Sequence, residues 1–203
     1  MKGGITTMGS KQKLLQSARE LIYKNGYNNT SIRDILIDAD AGKGQLYYYF
    51  DSKKSIGLAV IQANIEEWRT ELFTDILAPS VEPEKDFLDM LNWFYSFHNS
   101  QSHYYGCPIG NLIIELSMED EEFREVLEDF MTEWINVLAA KLIELDSEAY
   151  LNFEEAQDEA RMIISQIQGS IVLLKATQDL TILKETFTRL EKKYVYSNTL
   201  KAE

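Results

Sequence analysis

The chain of 203 residues has one cysteine, Cys107, and two histidines, His98 and His103. A single cysteine cannot form an intrachain disulfide, and so few Cys and His side chains argue against a zinc site, so no metal or other cofactor is expected. No apolar run reaches the 18 residues of a membrane span, and the first 13 residues lack the apolar core of a signal peptide. These absences predict a cytoplasmic protein.

Turn-forming residues are also scarce, with three prolines and ten glycines. A β-sandwich with many turns is therefore disfavoured, whereas long helices are permitted. Hydrophobic residues make up 45% of the chain and aromatic residues 11%, enough to fill a core in one or two compact units. Apolar residues recur with helical spacing nearly everywhere, and no segment alternates long enough to predict a sheet. The predicted fold class is all-α.

The net charge of −13 is unevenly distributed along the chain. Residues 1–58 carry nine basic and five acidic side chains, a balance of +4, which leaves −17 for residues 59–203. Phosphate contacts require clustered lysine and arginine, so only the first part of the chain suits a nucleic-acid partner. We expect a small polyanion-binding head and an acidic body with another task, although an acidic surface can also serve solubility alone.

In the first 70 residues, apolar spacing predicts three short helices and then a long one that runs past Trp68. Residues suited to helix ends mark the boundaries. They are Asn25-Gly26 after the first helix, Thr30 or Ser31 before the second, Asp40-Ala41-Gly42 before the third, and Asp51 or Ser52 before the fourth.

In the remainder, two prolines make residues 79–84 the clearest interhelix linker, and Gly106-Cys107-Pro108 is expected to bend or restart the chain. The strongest amphipathic pattern runs from Phe123 to Ile143, with acidic residues on the opposite side. Further helices are predicted over residues 87–98, 153–177 and 182–194. The helix over 153–177 is apolar on almost all sides after Met162 and must be buried on more than one side.

A helix-turn-helix pattern lies at residues 30–50. Ile32, Ile35 and Leu36 would form the buried face of the first helix, and the second helix, in the segment Gly42 to Phe50, has a polar and aromatic face that suits a DNA groove. The alternative is that Tyr47, Tyr48 and Tyr49 are core aromatics. Consecutive residues of a helix cannot all face one core, which favours DNA binding.

Residues 11–60 closely resemble the N-terminal DNA-binding domain of TetR-family transcriptional regulators. The resemblance rests on Gly26-Tyr27, Arg33-Asp34-Ile35, Lys43-Gly44, Leu46-Tyr47-Tyr48-Tyr49-Phe50 and Ser52-Lys53. It implies a three-helix DNA-binding domain, residues 9–58, joined by a long helix to a helical effector-binding and dimerisation domain, residues 59–196. By the same resemblance, base edges would be contacted by Lys43, Gly44, Gln45 and Tyr47, and phosphates by Thr30, Ser31, Tyr48, Tyr49 and Lys53.

An effector pocket is predicted in the body, where aromatic walls combine with a few polar anchors. Residues Gly106 to Glu115 also resemble a segment found in a subset of the family that includes regulators of multidrug resistance. A plain helical core without a cavity is the alternative. The predicted lining residues are Trp93, Phe97, Tyr104, Cys107, Asn111, Glu115, Met131 and Trp134.

A homodimer is expected, because one helix-turn-helix covers only a few base pairs and a two-fold axis doubles the contacts. The predicted dimer interface comprises Ile163, Ile164, Ile167, Ile171 and Leu174; burial within one subunit is the alternative.

The resemblance implies a ligand-responsive regulator, by the common case a repressor, that binds a palindromic duplex operator and is released by a small lipophilic or aromatic effector. Two other hypotheses remain at this point. One is an architectural DNA-binding protein without an effector. The other is an enzyme with Cys107 as nucleophile and His98 or His103 as base.

Overall fold

A computed structural model describes residues 9–146 and 150–196. Over these residues the chain forms nine α-helices, two short π-helical segments and no strand, which confirms the all-α prediction. The helices are α1 Ser10–Asn25, α2 Ile32–Asp38, α3 Lys43–Tyr49, α4 Lys53–Trp68, α5 Pro83–Asn99, α6 Pro108–Leu116, α7 Glu121–Leu145, α8 Phe153–Thr177 and α9 Thr181–Glu191. The π-helical segments are Arg69–Thr74, which continues α4, and Lys192–Tyr196, which continues α9.

Helices α1, α2 and α3 pack together around Leu14, Ala18, Ile35 and Leu46, each at most 1% exposed. Helix α1 ends where the sequence predicts, because Gly26 adopts a φ of 89° that a residue with a side chain rarely adopts.

The sequence predicted two candidate N-caps for α2 and two for α4, and the structure uses one of each pair. Ser31 rather than Thr30 caps α2, in a reciprocal capping box with Asp34, and Ser52 rather than Asp51 caps α4. Helix α3 begins after Gly42 without any side-chain cap. This short helix is therefore held by tertiary packing and not by its own cap.

The linker between α4 and α5 is anchored to α7 by a buried lysine. Lys141 is 1% exposed, and its Nζ donates to Ala78 O at 2.9 Å, to Asp86 at 2.7 Å and to Glu144 at 2.6 Å. A buried ammonium is tolerable only when such partners surround it. Pro83, one of the two prolines that predicted this linker, is the first residue of α5.

Helix α8 corrects the predicted dimer interface. Ile163, Ile164, Ile167, Ile171 and Leu174 are at most 3% exposed within a single subunit, because this face of α8 packs against α7 and α9. A face already buried in one chain cannot form the contact with a second. The other face of the helix leaves Met162, Val172 and Leu173 between 54% and 57% exposed.

No helix in the described residues is both long and apolar enough to cross a membrane.

Candidate DNA-binding surface and ligand cavities

The third helix presents its polar and aromatic side chains to solvent. Leu46 is fully buried and fixes α3 against the head, whereas Tyr47 is 51%, Tyr48 81% and Tyr49 37% exposed. The tyrosines are therefore not core residues. Lys43, Gly44 and Gln45 are exposed on the first turn, and Gln45 Nε2 donates to Ser10 Oγ at 2.7 Å. The helix therefore exposes one ammonium, one amide and three phenols on its surface.

Two of the residues predicted to contact phosphates, Ser31 and Thr30, differ in their exposure. Ser31 is exposed at the start of α2, but Thr30 is 1% exposed and its hydroxyl donates to Gly26 O at 2.8 Å. The Thr30 side chain therefore stabilises the α1–α2 turn and cannot reach a phosphate. Sequence reasoning missed this because threonine at a helix start is equally suited to a cap and to a backbone-closing hydrogen bond.

The two lysines at the start of α4 have different bonding partners. Lys53 Nζ donates to Asn28 O at 3.2 Å and lies 4.5 Å from the centre of the Tyr27 ring. Lys54 pairs with Asp120 at 2.8 Å and Glu122 at 2.9 Å, hydrogen bonds that raise its pKa. Lys54 thus joins the head to the start of α7, whereas Lys53 has no acidic partner within residues 9–146 and 150–196.

A cavity of about 560 Å³ lies where α1 meets α4, α5 and α6. Trp93, Phe97, Cys107, Asn111 and Glu115 line it, which is five of the eight residues predicted for the effector. The head contributes to this wall as well, and sequence reasoning missed that contribution because it assigned α1 to DNA binding alone. The missed lining residues of the head are Gln16, Arg19, Glu20, Ile22 and Tyr23, and α4 adds Val60, Asn64, Glu67 and Trp68.

The charge of this larger cavity is negative. Glu20, Glu67, Glu71 and Glu115 are in its lining with a single guanidinium, that of Arg19, which pairs with Glu67. His98 is also in the wall and is 1% exposed; desolvation lowers its pKa from 6.5 to about 4, so the ring is neutral at pH 7. Its Nδ1 has no hydrogen-bond partner among the described residues. The cavity favours a cationic or hydrogen-bonding guest.

A second cavity of about 320 Å³ lies between α6, α7 and α8. Met131 and Trp134 line only this cavity, while Cys107 and Asn111 are shared by both. Tyr104 lines neither: its backbone N–H and carbonyl are both bonded to the Gln178 amide. The single pocket that the sequence predicted is thus two adjoining cavities, and Tyr104 lies outside them.

Comparison with known proteins follows the same division of the chain. Residues 14–60 match the family described as bacterial regulatory proteins, tetR family. Residues 83–188 match the C-terminal domain of LmrA/YxaF-like transcriptional regulators. The chain belongs to the TetR family of transcriptional regulators.

Relatives of this TetR-family chain match it along most of its length. An HTH-type transcriptional regulator in the lacX 3′ region of Lactococcus lactis is 45% identical over 182 residues, 90% of this chain and 91% of that protein. The HTH-type transcriptional regulator LmrA of Bacillus subtilis is 26% identical, over 86% of this chain and 90% of that protein. The repressor DhaR of a Mycobacterium species is 25% identical over 88% of each.

A solved structure shows the same fold. The TetR transcriptional regulator from Legionella pneumophila superposes with a TM-score of 0.81 at 21% identity, and the match covers 94% of this chain and 100% of that one.

Because the family and these relatives are transcriptional regulators, the chain is not an enzyme. Cys107 has a structural position instead: it is 4% exposed at the start of α6, and its sulfur accepts from Gly110 N at 3.3 Å. Burial raises the pKa of its thiol, which disfavours the thiolate that a nucleophile needs.

The TetR-type head and body are joined at Glu115. Its carboxylate accepts from Tyr27 N at 2.8 Å and from Asn28 N at 2.7 Å, in the turn between α1 and α2. A Cβ at Gly26 would lie 3.2 Å from the same carboxylate, so glycine also permits this close approach. Glu115 was predicted to face the effector, and it lines the larger cavity while also holding the head.

Tyr23 provides a second connection between head and body. Its hydroxyl lies 3.0 Å from Gln101 Oε1 and 2.9 Å from Gly106 O, and burial raises its pKa to about 12. A neutral phenol can therefore donate to these acceptors at any physiological pH. Together with Arg19, which donates to Asn64 and Glu67 of α4, Tyr23 ties α1 to the body at the larger cavity.

Proposed function

We propose that this chain is a repressor that binds a palindromic operator as a homodimer and is released by a small aromatic cation in the larger cavity. The observation that carries the proposal is the position of Glu115, which lines that cavity and accepts two backbone hydrogen bonds from the head. Such a repressor acts in the cytoplasm, where the DNA is.

The DNA contacts follow from the exposed side chains of the head. Lys43, Gly44, Gln45 and Tyr47 lie on α3, where a recognition helix meets base edges. Phosphates are assigned to exposed or half-buried groups around it. These are Ser31, Tyr48, Tyr49 and Lys53.

The exposed face of α8 supplies the dimer contact in place of the buried face. Met162, Val172 and Leu173 give it apolar area, and small side chains at Ser165 and Gly169 permit close approach of a second helix. A Cβ added at Gly169 would meet nothing within 4 Å in the single chain, so this part of the helix is open to a partner. A two-fold axis along this face, with α9 alongside, gives a four-helix interface.

Effector release depends on competition for Glu115. Its half-buried carboxylate is one of four in a cavity that has one guanidinium, and aromatic walls from Trp93 and Phe97 suit a flat cation. A cation that draws this carboxylate inward removes the acceptor of Tyr27 N and Asn28 N. The head is then freed to move relative to the body. To reduce DNA-competent dimers from 99% to 1%, the cation must prefer the released state by about 10⁴-fold.

The test uses a duplex selected from random DNA by the purified protein, with affinity measured by fluorescence anisotropy. The aromatic cation 2-naphthylmethylammonium should weaken operator binding at least about tenfold in the wild type. In Glu115→Gln, which keeps the size but loses the charge, operator affinity should fall about 3–10-fold without the cation, and the response should be lost.

The matched control is Asn111→Ala, because Asn111 lines the same cavity without bonding the head. Its operator affinity should stay within about twofold of the wild type, since the hydrogen bonds that are removed, to Tyr105 O and from Lys175 Nζ, lie within the body and not between body and head. If the cation binds tightly and leaves operator affinity unchanged, the release mechanism is wrong, because equal affinity for two states shifts neither.

A further inference from the structure

Among the side chains of α3 assigned to base edges, that of Gln45 already has a hydrogen-bond partner in the protein. Its Nε2 donates to Ser10 Oγ at 2.7 Å, and this bond joins the first turn of α3 to the first turn of α1. Within residues 9–146 and 150–196, the Lys43 ammonium and the Tyr47 hydroxyl have no hydrogen-bond partner. The orientation of the Gln45 amide is therefore restricted before DNA binds.

The Ser10 hydroxyl can accept this bond because it does not cap its own helix. Gly9 is the N-cap of α1 and makes no side-chain hydrogen bond there. At the first helical position, a serine also has no carbonyl of the same helix one turn earlier to bond. The oxygen is thus left for a partner on another helix.

Both ends of the hydrogen bond are fixed by buried neighbours. Ser10 lies one turn before Leu14 on the same side of α1, and Gln45 directly precedes Leu46. Both leucines are 0% exposed and belong to the core of the head. The packing of α1 against α3 therefore holds the hydroxyl and the amide within hydrogen-bond distance.

The bond to Ser10 leaves the Gln45 amide with one N–H and with the carbonyl oxygen Oε1, because an amide nitrogen has two donors. A donor beside an acceptor matches the major-groove edge of adenine, where N7 accepts and the N6 amine donates. The edge of guanine has two acceptors, N7 and O6, and would require both N–H groups of the amide. One of these is already bonded to Ser10, so the arrangement favours adenine.

The surface beside this amide has room for a base. Gln45 is exposed, and a Cβ added at Gly44 would meet nothing within 4 Å. Because glycine has no side chain, a base edge can approach the backbone of α3 closely at this point. The amide is therefore accessible from the side on which a duplex would lie.

We propose that Gln45 reads an adenine in each half of the operator, and that Ser10 is the positioning residue that holds its amide for this base. The inference rests on the proposed function, because it requires α3 to enter the major groove. A side chain that is already held in one orientation loses less conformational entropy on binding. Ser10 thus acts on base selectivity without touching the base.

The test is selection of duplexes from a random library by the purified full chain, repeated with Gln45→Ala, Ser10→Ala and Ser10→Thr. The position that loses its base preference in Gln45→Ala is the one that Gln45 reads. The wild type should prefer adenine there about tenfold. The preference should fall to about two- to threefold in Ser10→Ala, and Ser10→Thr, which keeps the hydroxyl, should restore it.

The matched control is Gln12→Ala, at an exposed position in the same turn of α1 with no hydrogen bond to α3 among the described residues. It should leave the base preference unchanged. Replacing the selected adenine by 7-deazaadenine, which lacks N7, should weaken wild-type binding about fivefold, the effect of one lost hydrogen bond. The same replacement should not affect Gln45→Ala.

The hydrogen bond is also tested without DNA, by nitrogen-15 relaxation of the Gln45 side-chain amide in the full chain. The order parameter of this amide should fall in Ser10→Ala and stay at the wild-type value in Gln12→Ala. An amide that is equally mobile in the wild type and in Ser10→Ala overturns the positioning role of Ser10.

Guanine or a pyrimidine at the position read by Gln45 overturns the assignment of adenine. An equal loss of affinity for all bases in Ser10→Ala, with the preference unchanged, overturns the positioning role. Either result leaves the proposed function intact, because the chain still selects a palindrome. A chain that selects no duplex overturns the proposed function and this inference together, so the two failures are distinguishable.

Discussion

The side chains predicted to contact DNA in the head and a ligand in the body are placed in opposite ways. Tyr48 on α3 is 81% exposed, while Trp134 on α7 is 1% exposed. A duplex is too large to enter a protein, so the head must meet it with outward side chains held by a small core. A small molecule is recognised by removing it from water, so the body turns its aromatic and polar groups inward. Substitutions should therefore separate binding from stability in the head and couple them in the body.

The largest effect is expected in the body, at Lys141. Lys141→Ala would leave Asp86 and Glu144 next to each other without their shared ammonium, and should lower the free energy of unfolding by about 3–5 kcal/mol. Chemical denaturation followed by circular dichroism measures the change. Lys184→Ala, on the exposed side of α9, should stay within about 0.5 kcal/mol. A similar small change for Lys141→Ala would mean that the body tolerates an unpaired buried charge.

The next effect concerns assembly. Leu173→Glu places two carboxylates near a two-fold axis and should cost about 2–4 kcal/mol of association free energy, converting the dimer to a monomer at micromolar concentration. Sedimentation velocity decides this. The control is Asn92→Glu, which adds an acid on the exposed side of α5, outside both helices of the proposed interface. A dimer that survives Leu173→Glu would exclude this face of the helix.

In the head, substitutions should reduce DNA binding without changing stability. Tyr47→Ala and Lys43→Ala each remove an exposed contact and should weaken operator binding by about 1–3 kcal/mol, with unfolding and dimerisation unchanged. Ile37→Ala is the matched control, since Ile37 is 68% exposed on α2 and is assigned no DNA contact. Operator affinity equal to that of the wild type in both variants would show that α3 does not enter the groove.

The smallest expected effect is a pH dependence of the free energy of unfolding, caused by His98 in the body. The pKa of His98 is lowered from 6.5 to about 4 by burial, so between these values the unfolded chain binds more protons than the folded one. Stability should therefore fall as pH decreases from 6.5 towards 4, by about 1–3 kcal/mol at about 1.4 kcal/mol per pKa unit.

The measurement compares unfolding at pH 7 and pH 4.5 in the wild type, His98→Leu and His103→Leu. The loss of stability should be smaller in His98→Leu, because its neutral side chain takes up no proton. His103 is exposed, so His103→Leu should retain the wild-type loss. Equal losses in all three proteins would assign the pH dependence to other groups.

Local structure could be predicted well because it depends on neighbouring residues. Asn25-Gly26, Ser31 and Ser52 end or cap helices where expected, and α8 spans the predicted 153–177. A capping hydroxyl reaches a backbone N–H two or three residues away, so the sequence contains both partners. The exposure of Tyr47, Tyr48 and Tyr49 on α3 was predictable as well, because three consecutive residues of a helix cannot all face one core.

The sequence did not predict whether a helix face packs within one subunit or against a second one, nor which partner a polar side chain bonds. Periodicity shows that α8 has an apolar face, but the same isoleucines could pack within one subunit or across two, and only contact with α7 and α9 decides. Glu115 and Asn111 stand one turn apart on α6, yet one bonds the head and the other the Tyr105 carbonyl.

The sequence by itself determined the helices, their ends and the family to which the chain belongs, because these depend on short-range hydrogen bonds and on a contiguous motif. Tertiary structure alone decided that Thr30 is buried, that the predicted pocket is two adjoining cavities, and that α1 forms a wall of one of them. Burial and electrostatic environment arise from residues far apart in the chain, and their positions follow only when the helices pack.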